Sequence, residues 1–503
     1  MMERVVAVGE SLALEDVVAV ARGGARVRLA DRGRVAMEAS RRVVEGLLGA
    51  EGAATYGINT GFGALAEVRI PATDLAALQL NLVRSHAVGV GPVLPSEVVR
   101  AMLLLRAQVL ALGYSGVRVA LVDQLVALLA AGIHPLIPSQ GSVGACGDLA
   151  PLAHLALVLI GEGEAEVGGD RMSGGAALAR AGVAPLVLAP KEGLALINGT
   201  AAMLAVGALA LVDAETLVLS ADAIGAMSLE ALKGSTAPFH EAIVRARPHP
   251  GALAVAARLR ALLADSAIAA SHVDCGAVQD AYSLRCMPQV HGAARDVLGF
   301  ARGVLAIELN AATDNPLVCP DGQIRSGGNF HGQPVAEACD AAAMALVDLA
   351  SISERRIAYV VDPQRNRGLP AFLARHSGLH SGFMMAHVTA ASLVSEARSL
   401  AMPKSMDSIP TSADREDHVS MGMTSARALA EVVRMTAIVL GIEAIVAAQG
   451  VELRQLAPAP GVARLVAAVR TRVAPLEADR VMASDFEAAR ALIITGALAE
   501  PNV

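Results

Sequence analysis

Four short segments hold chemically capable side chains at a density that the rest of this alanine-, valine- and leucine-rich chain lacks. The first is Thr55-Tyr56-Gly57-Ile58-Asn59-Thr60-Gly61-Phe62-Gly63, which sets one of only four tyrosines among three glycines. The second is Gly141-Ser142-Val143-Gly144-Ala145-Cys146-Gly147-Asp148-Leu149-Ala150-Pro151, with a thiol in a run of very small residues. The third is Gln279-Asp280-Ala281-Tyr282-Ser283-Leu284-Arg285, and the fourth is Asp414-Arg415-Glu416-Asp417-His418. A phenol, a thiol, a guanidinium and a carboxylate/imidazole cluster are groups that move protons, attack electrophiles and hold carboxylates. Taken singly, each segment also has a plain structural reading. Glycine-rich runs make turns, Tyr-x-x-Arg forms surface pairs, and a lone cysteine packs as a small apolar group. A nucleophilic thiol also needs a base beside it, and spacing alone puts none of the twelve histidines there.

Composition limits what can position these groups. A chain of 503 residues has material for a large buried core. Apolar residues make up 54% but aromatics only 2%, with no tryptophan, so core volume must come from Ala, Val and Leu. That palette suits closely packed helices better than a sheet. The net charge of -7 is spread along the chain, and no basic block or aromatic-interleaved Lys/Arg stripe suggests nucleic acid. Mean hydropathy of +0.51 makes a membrane span worth testing. The best stretch, Gly193 to Val212, contains Asn198, Gly199 and Thr200 and has no flanking Tyr/Trp belt or Lys/Arg asymmetry, which favours a buried helix over a membrane segment. The N-terminus, with Glu3, Arg4 and Glu10, lacks the apolar stretch of a signal peptide. Cys146, Cys275, Cys286, Cys319 and Cys339 are odd in number and form no CxxC pair. This argues against a disulfide framework or a zinc site and fits a reducing cytoplasm.

Residues 1 to about 200 alternate helical patterns with glycine-rich loops. Ser96-Glu97 after Pro95 is expected to cap a helix ending near Gly113, and 120–131 reads as a second. Two close prolines make helix unfavourable over 134–138. An apolar helix is expected from about Asp148 to Ile160, and 162–175 reads as a small β-hairpin turning at Gly168-Gly169-Asp170. Beyond about 200 the pattern changes to long helices. Val290, Ala294, Val297, Ala301 and Val304 recur at helical spacing, and 341–361, 383–401 and 426–449 are similar. The expectation is a mainly α fold: a long central helical bundle with a mixed, loop-rich N-terminal region carrying a small β-hairpin. Residues 1–200 would hold the chemistry-bearing loop and 201–503 the long-helix bundle and C-terminal helices, within one continuous globular unit. Helices so apolar on most faces need other helices around them, which an intersubunit bundle would supply.

The second and third segments, together with Leu196-Ile197-Asn198-Gly199-Thr200, closely resemble the histidine/phenylalanine ammonia-lyase family. The resemblance runs from Arg26 to about Ala447. In that family an Ala-Ser-Gly tripeptide cyclises: the Gly nitrogen attacks the Ala carbonyl, and loss of water leaves a methylidene-imidazolone (MIO). Small residues let the backbone fold onto itself in this way, and a following helix start brings a positive dipole end near developing negative charge. The resemblance sharpens toward the histidine branch at Ser85-His86-Ala87-Val88-Gly89-Val90-Gly91, Asn329-Phe330-His331-Gly332, Ser353-Glu354-Arg355-Arg356-Ile357-Ala358, Asp407-Ser408-Ile409-Pro410-Thr411-Ser412-Ala413 and Glu416-Asp417-His418-Val419-Ser420-Met421. Relatives specific for phenylalanine or tyrosine usually carry an amide in place of Glu416, and a carboxylate there suits an imidazole.

The resemblance implies non-oxidative elimination of ammonia from L-histidine to give trans-urocanate, in a cytoplasmic homotetramer without external cofactor or metal. Ala145, Cys146 and Gly147 would form the MIO; Tyr56 would remove the β-proton; Tyr282, Asn198 and Gln279 would position the amino group and cofactor. Arg285 would hold the substrate carboxylate, His86 and Glu416 would contact the imidazole, and Phe330 would wall the pocket. Three residues depart from the pattern. Cys146 stands where the family has Ser, and can reach the same dehydroalanine by losing hydrogen sulfide. Met287 stands where the histidine branch usually has Gln, and Arg415 where Gln is usual. Two alternatives stand beside this reading: an MIO-dependent lyase or aminomutase for tyrosine, phenylalanine or another amino acid, and a non-catalytic helical scaffold with an unprocessed loop. The run Ala401-Met402-Pro403-Lys404-Ser405 suggests a fumarase/aspartase-type lyase, but that family's Gly-Ser start and Asn-Pro are missing.

Overall fold

A computed structural model describes residues 4–48, 55–61, 67–273 and 278–499. Phe62, Gly63 and Cys275, named above, lie outside the described residues. The protein is 58% helical with few strands, the mainly α architecture that its Ala/Leu-rich composition calls for. It divides into two compact units, each assembled from three stretches of chain. The first comprises Met1–Leu209, Arg302–Cys339 and Pro403–Arg427; the second comprises Ala210–Ala301, Asp340–Met402 and Ala428–Val503. Four of the five unit boundaries fall inside the long helices Ala201–Ala231, Met287–Glu308, Gln333–Val361 and Gly422–Leu453, and the fifth lies between Met402 and Pro403.

In the first unit, the helix Ser96–Ala111 is the central core element, with every residue from Ala101 to Ala111 buried. Pro95 rather than Ser96 occupies the N-cap position, and no side chain caps this end, because a proline ring carries no acceptor for the first-turn N–H groups. The second expected helix is Val119–Ala131, and the apolar helix is Leu149–Leu159. The proline-rich run between these two helices forms two short strands, Ile133–Pro135 and Pro138–Gln140. Strands Glu164–Val167 and Asp170–Ser173 make the expected hairpin, and Ile133–Pro135 extends it antiparallel as a third strand. Three further two-stranded pairings were not legible: Val5–Val8 parallel to Arg26–Leu29, Val90–Val93 with Pro138–Gln140, and Leu317–Val318 with Ile324–Arg325. Each is two to four residues long, too short for a period-2 pattern to stand out.

The apolar stretch Gly193 to Val212 is two helices. Glu192–Ile197 ends at Asn198, which has extended backbone, and Ala201–Ala231 begins after Thr200. The latter is the one described helix long and apolar enough to cross a membrane, but 72% of its most apolar window is buried. It also carries buried Ser220, Asp222, Ser228 and Glu230, which marks it as a core helix.

The second unit is built from long helices that bury charge in pairs. The fully buried Arg356 guanidinium meets Glu443 through Nε at 2.5 Å and Nη2 at 2.9 Å, and Ser228 and Ser353 donate to the same carboxylate. Asp222 accepts from His291 Nδ1 at 2.8 Å and from Arg295. Complete pairing is the condition under which such groups are tolerated in a helical core. Met287, one of the departures noted above, is fully buried at the start of its long helix, with its sulfur against Gly225.

Candidate active site

The loop 141–148 joins the strand Pro138–Gln140 to the helix Leu149–Leu159, and its backbone is tied down on both sides. Gly199 N–H donates to the Cys146 carbonyl at 3.2 Å, and Asp148 N–H donates to the Gly199 carbonyl at 2.8 Å. The break between the two helices at Asn198-Gly199-Thr200 therefore acts as a partner strand for the loop. On the other side, Met421 N–H donates to Val143 O at 2.8 Å and Ser420 Oγ donates to Gly144 O at 3.0 Å. Glycine is required at two places. Gly147 has φ +70°, and a Cβ there would sit 2.1 Å from the Gly199 carbonyl oxygen; Gly144 has φ +70°, and a Cβ would meet Ser420 Oγ at 2.2 Å.

Asp148 is fully buried and anchors the end of the loop. Its Oδ2 accepts from Met203 N–H at 2.7 Å, in the first turn of Ala201–Ala231, and its Oδ1 accepts from Ser142 Oγ at 3.0 Å. Burial outweighs those donors and pushes the carboxyl up to about 6. In the sequence Asp148 stands out only as a lone carboxylate beside a run of small apolar residues.

Cys146 faces a cavity of about 260 Å³ whose polar walls include His86, Thr411 and Glu416. Its Sγ donates to Glu416 Oε1 at 3.3 Å, while Glu416 Oε2 accepts from Thr411 Oγ1 at 2.6 Å. Glu416 is held by a miniature antiparallel bridge with Thr411, closed by Ser412, Ala413 and Asp414, all in the left-handed region. Three consecutive non-glycine residues there store strain, and such strain accumulates at functional sites. Burial, together with the neighbouring Glu416 carboxylate, pushes the Cys146 thiol up to about 12, so it remains neutral. Arg415, beside Glu416 in sequence, is exposed.

His86 ends the helix Leu75–His86. Its Nδ1 lies 2.8 Å from Leu82 O, and because a carbonyl only accepts, Nδ1 is the donor of this bond. Asn198 is buried at the C-terminus of its short helix. Its Nδ2 donates to Asn315 O at 3.1 Å, but its Oδ1 has no partner. Behind it, the fully buried Arg106 donates to the Asn198 carbonyl, and Lys191 pairs with Asp314 at 2.6 Å.

Tyr56, half-buried, stands in a turn closed by Ile58 N–H and Asn59 N–H on the Thr55 carbonyl. The turn packs near Leu194 and Pro316. Neither Tyr56 nor Phe330 lines the cavity that holds Cys146 and Glu416. Gln279, Tyr282 and Arg285 belong to the second unit. Gln279 is exposed, Tyr282 is 71% exposed, and the Arg285 guanidinium lies 4.6 Å over the Tyr282 ring. Arg285 Nε is buried without a partner.

The chain belongs to the aromatic amino acid lyase family, matching it over residues 12–471. It is 58% identical over 499 residues to the histidine ammonia-lyase of Sorangium cellulosum, covering 97% of both chains. Among solved structures, the histidine ammonia-lyase of Trypanosoma cruzi superposes with a TM-score of 0.91 at 43% identity, covering 99% of this chain and 96% of that one. The tyrosine aminomutase of Streptomyces globisporus gives 0.93 at 39% identity, covering 98% and 97%.

Proposed function

We propose that the protein is a carbon–nitrogen lyase that eliminates ammonia from L-histidine to give trans-urocanate. The observation that carries this is the cavity in which Glu416, aimed by Thr411, faces Cys146 beside His86. A carboxylate and an imidazole on one cavity wall suit an imidazole ring, whose N–H can donate to the Glu416 carboxylate. The relatives named histidine ammonia-lyase, at 52–58% identity over nearly full length, support the same substrate.

The electrophile is an MIO made from Ala145, Cys146 and Gly147. The loop fits that group. Among the described residues, no hydrogen bond engages Gly147 N–H or the Ala145 carbonyl, the two groups that must join, while their neighbours are tied on both sides. Cyclisation loses one water, and elimination across Cys146 Cα–Cβ loses one hydrogen sulfide. When formed, the group supplies an electrophilic methylidene carbon. In the reaction, Arg285 binds the substrate carboxylate, its Nε having no partner within the chain, and Tyr56 removes the β-proton. The orphan Oδ1 of Asn198 accepts from the substrate amino group, and Gln279 and Tyr282 help to position that group and the cofactor. Phe330 contributes to the pocket wall. The enzyme works as a homotetramer in the cytoplasm. The apolar groove of about 730 Å³ lined by Val290, Ala294, Val297, Ala345 and Ile352 is the kind of surface such an assembly covers.

Intact-protein mass and product analysis test the proposal together. A deficit of one water plus one hydrogen sulfide, with urocanate released from histidine, is the expected result. A full-mass chain inert toward histidine would overturn it, and a β-amino acid product would assign the aminomutase reaction instead.

A further inference from the structure

In the segment Gln279–Arg285 the side chains of Gln279 and Tyr282 are exposed, while Asp280, a residue with no assigned role, has a side chain only 4% exposed. Its Oδ2 accepts from Ser235 N–H at 2.6 Å, and its Oδ1 accepts from Arg367 Nη2 at 2.7 Å. Arg367 donates its other terminal nitrogen to the Lys233 carbonyl. Ser235 and Lys233 follow immediately on the long helix Ala201–Ala231, so one ion pair fastens the segment to the end of the unit's core helix. Arg367 is itself fixed: it sits at φ +55°, and Arg454 donates to the carbonyls of Arg367 at 2.8 Å, Asn366 at 2.6 Å and Ala231 at 2.8 Å. At the far end of the segment, Arg356 Nη1 donates to the Ser283 carbonyl at 3.4 Å from its locked pair with Glu443.

We propose that the Asp280–Arg367 ion pair is a positioning device that sets the orientation of Tyr282 and Arg285 for capture of the substrate carboxylate. The helix Tyr282–Arg285 is a single turn of four residues and cannot hold its own direction. Asp280 stands two residues before that turn and has both carboxylate oxygens engaged by Ser235 and Arg367. Tyr282 and Arg285 stack on one another and leave their polar atoms for a ligand. Two charge-assisted bonds to a nearly buried carboxylate are short, directional and insensitive to the ligand, which is what a fixed mount requires.

The inference rests on the reading of Arg285 as the carboxylate-binding group, and the test separates the two. Two competitive inhibitors serve as probes: imidazolepropionate, which keeps the carboxylate, and histamine, which lacks it. In Asp280→Ala and Arg367→Ala, imidazolepropionate should bind about 10-fold more weakly, the size of one lost bond to a charged group. Histamine binding should stay within about 2-fold, and kcat/KM for histidine should fall mainly through KM. Asp280→Asn, which keeps an acceptor for Ser235 N–H, should fall between Asp280→Ala and the parent. Arg285→Ala is the reference and should abolish the carboxylate preference. If Arg285→Ala abolishes it while both clasp variants retain it, the positioning role is wrong and the carboxylate reading stands. If Arg285→Ala also retains it, both fail. Equal weakening of both probes in Arg367→Ala, whose side chain is 30% exposed, would overturn selective positioning in favour of general structural damage.

Discussion

The loop 141–148 and the segment 279–285 are both polar clusters in an apolar helical protein, but they spend their hydrogen-bonding capacity in opposite ways. In the loop, the backbone is tied to Gly199, Ser420 and Met421, glycines are pressed against neighbouring atoms, and the one thiol is kept neutral by burial and Glu416. In the segment, one carboxylate is consumed in anchoring, while Tyr282 is 71% exposed and Arg285 retains a partnerless nitrogen. Chemistry on a protein's own backbone needs close approach and exclusion of water. Capture of an outside molecule needs rigid groups whose bonds are not yet made.

The largest expected break of this comparison is Gly147→Ala. Its methyl group would overlap the Gly199 carbonyl oxygen in a left-handed backbone, costing about 1–3 kcal/mol for overlap and about 1–2 kcal/mol for conformation. Such a chain should keep its full mass and form urocanate only at background. An equally cyclised Gly147→Ala chain would show that the tight bridge to Gly199 is dispensable.

Next is the pH dependence set by Asp148. Burial raises this carboxyl to about 6, so the folded state holds its proton more tightly than the unfolded chain does. The stability it contributes is therefore fully present below about pH 4 and is lost as pH rises through about 6, a change of about 3 kcal/mol. Denaturation of the parent and of Asp148→Asn at pH 4.5 to 7.5, all approximate settings on that titration, should give diverging slopes. Parallel slopes would mean that Asp148 does not feel its burial.

The smallest of the three is Glu416→Gln. It keeps the size and the Thr411 contact but removes the charge, and should lower kcat/KM for histidine about 10- to 100-fold through loss of a charge-assisted bond. Unchanged kinetics would remove Glu416 from imidazole recognition and leave it as a mount for the loop.

Much of the helical framework could be read from the chain because its signals are local. The hairpin turn, the apolar run after Asp148 and the helices around Val290 to Val304 each carry their pattern within one or two dozen residues. Their ends were less legible. The helix expected over 341–361 begins eight residues earlier, at Gln333, because His331-Gly332-Gln333 reads as loop until Gly332 is seen to donate to Gly144. Ser420 and Asp148 were passed over for the same reason: each acts on a partner 55 or more residues away. Met287 and Arg415 both depart from the family pattern, and packing separates them: one is fully buried beside Gly225 and the other is exposed.

By itself, the sequence determined residue chemistry and short-range geometry: a helical chain, a loop small enough to close on itself, and a phenol, a guanidinium and a carboxylate in identifiable motifs. Spacing cannot encode which atoms meet when their residues are far apart along the chain. Only the tertiary structure set Glu416 at 3.3 Å from Cys146, left Asn198 Oδ1 unpartnered, and turned Asp280 inward to Ser235 and Arg367. The physical reason is that desolvation and hydrogen-bond direction, which decide what a side chain can do, are properties of the packed environment and have no counterpart in the order of residues.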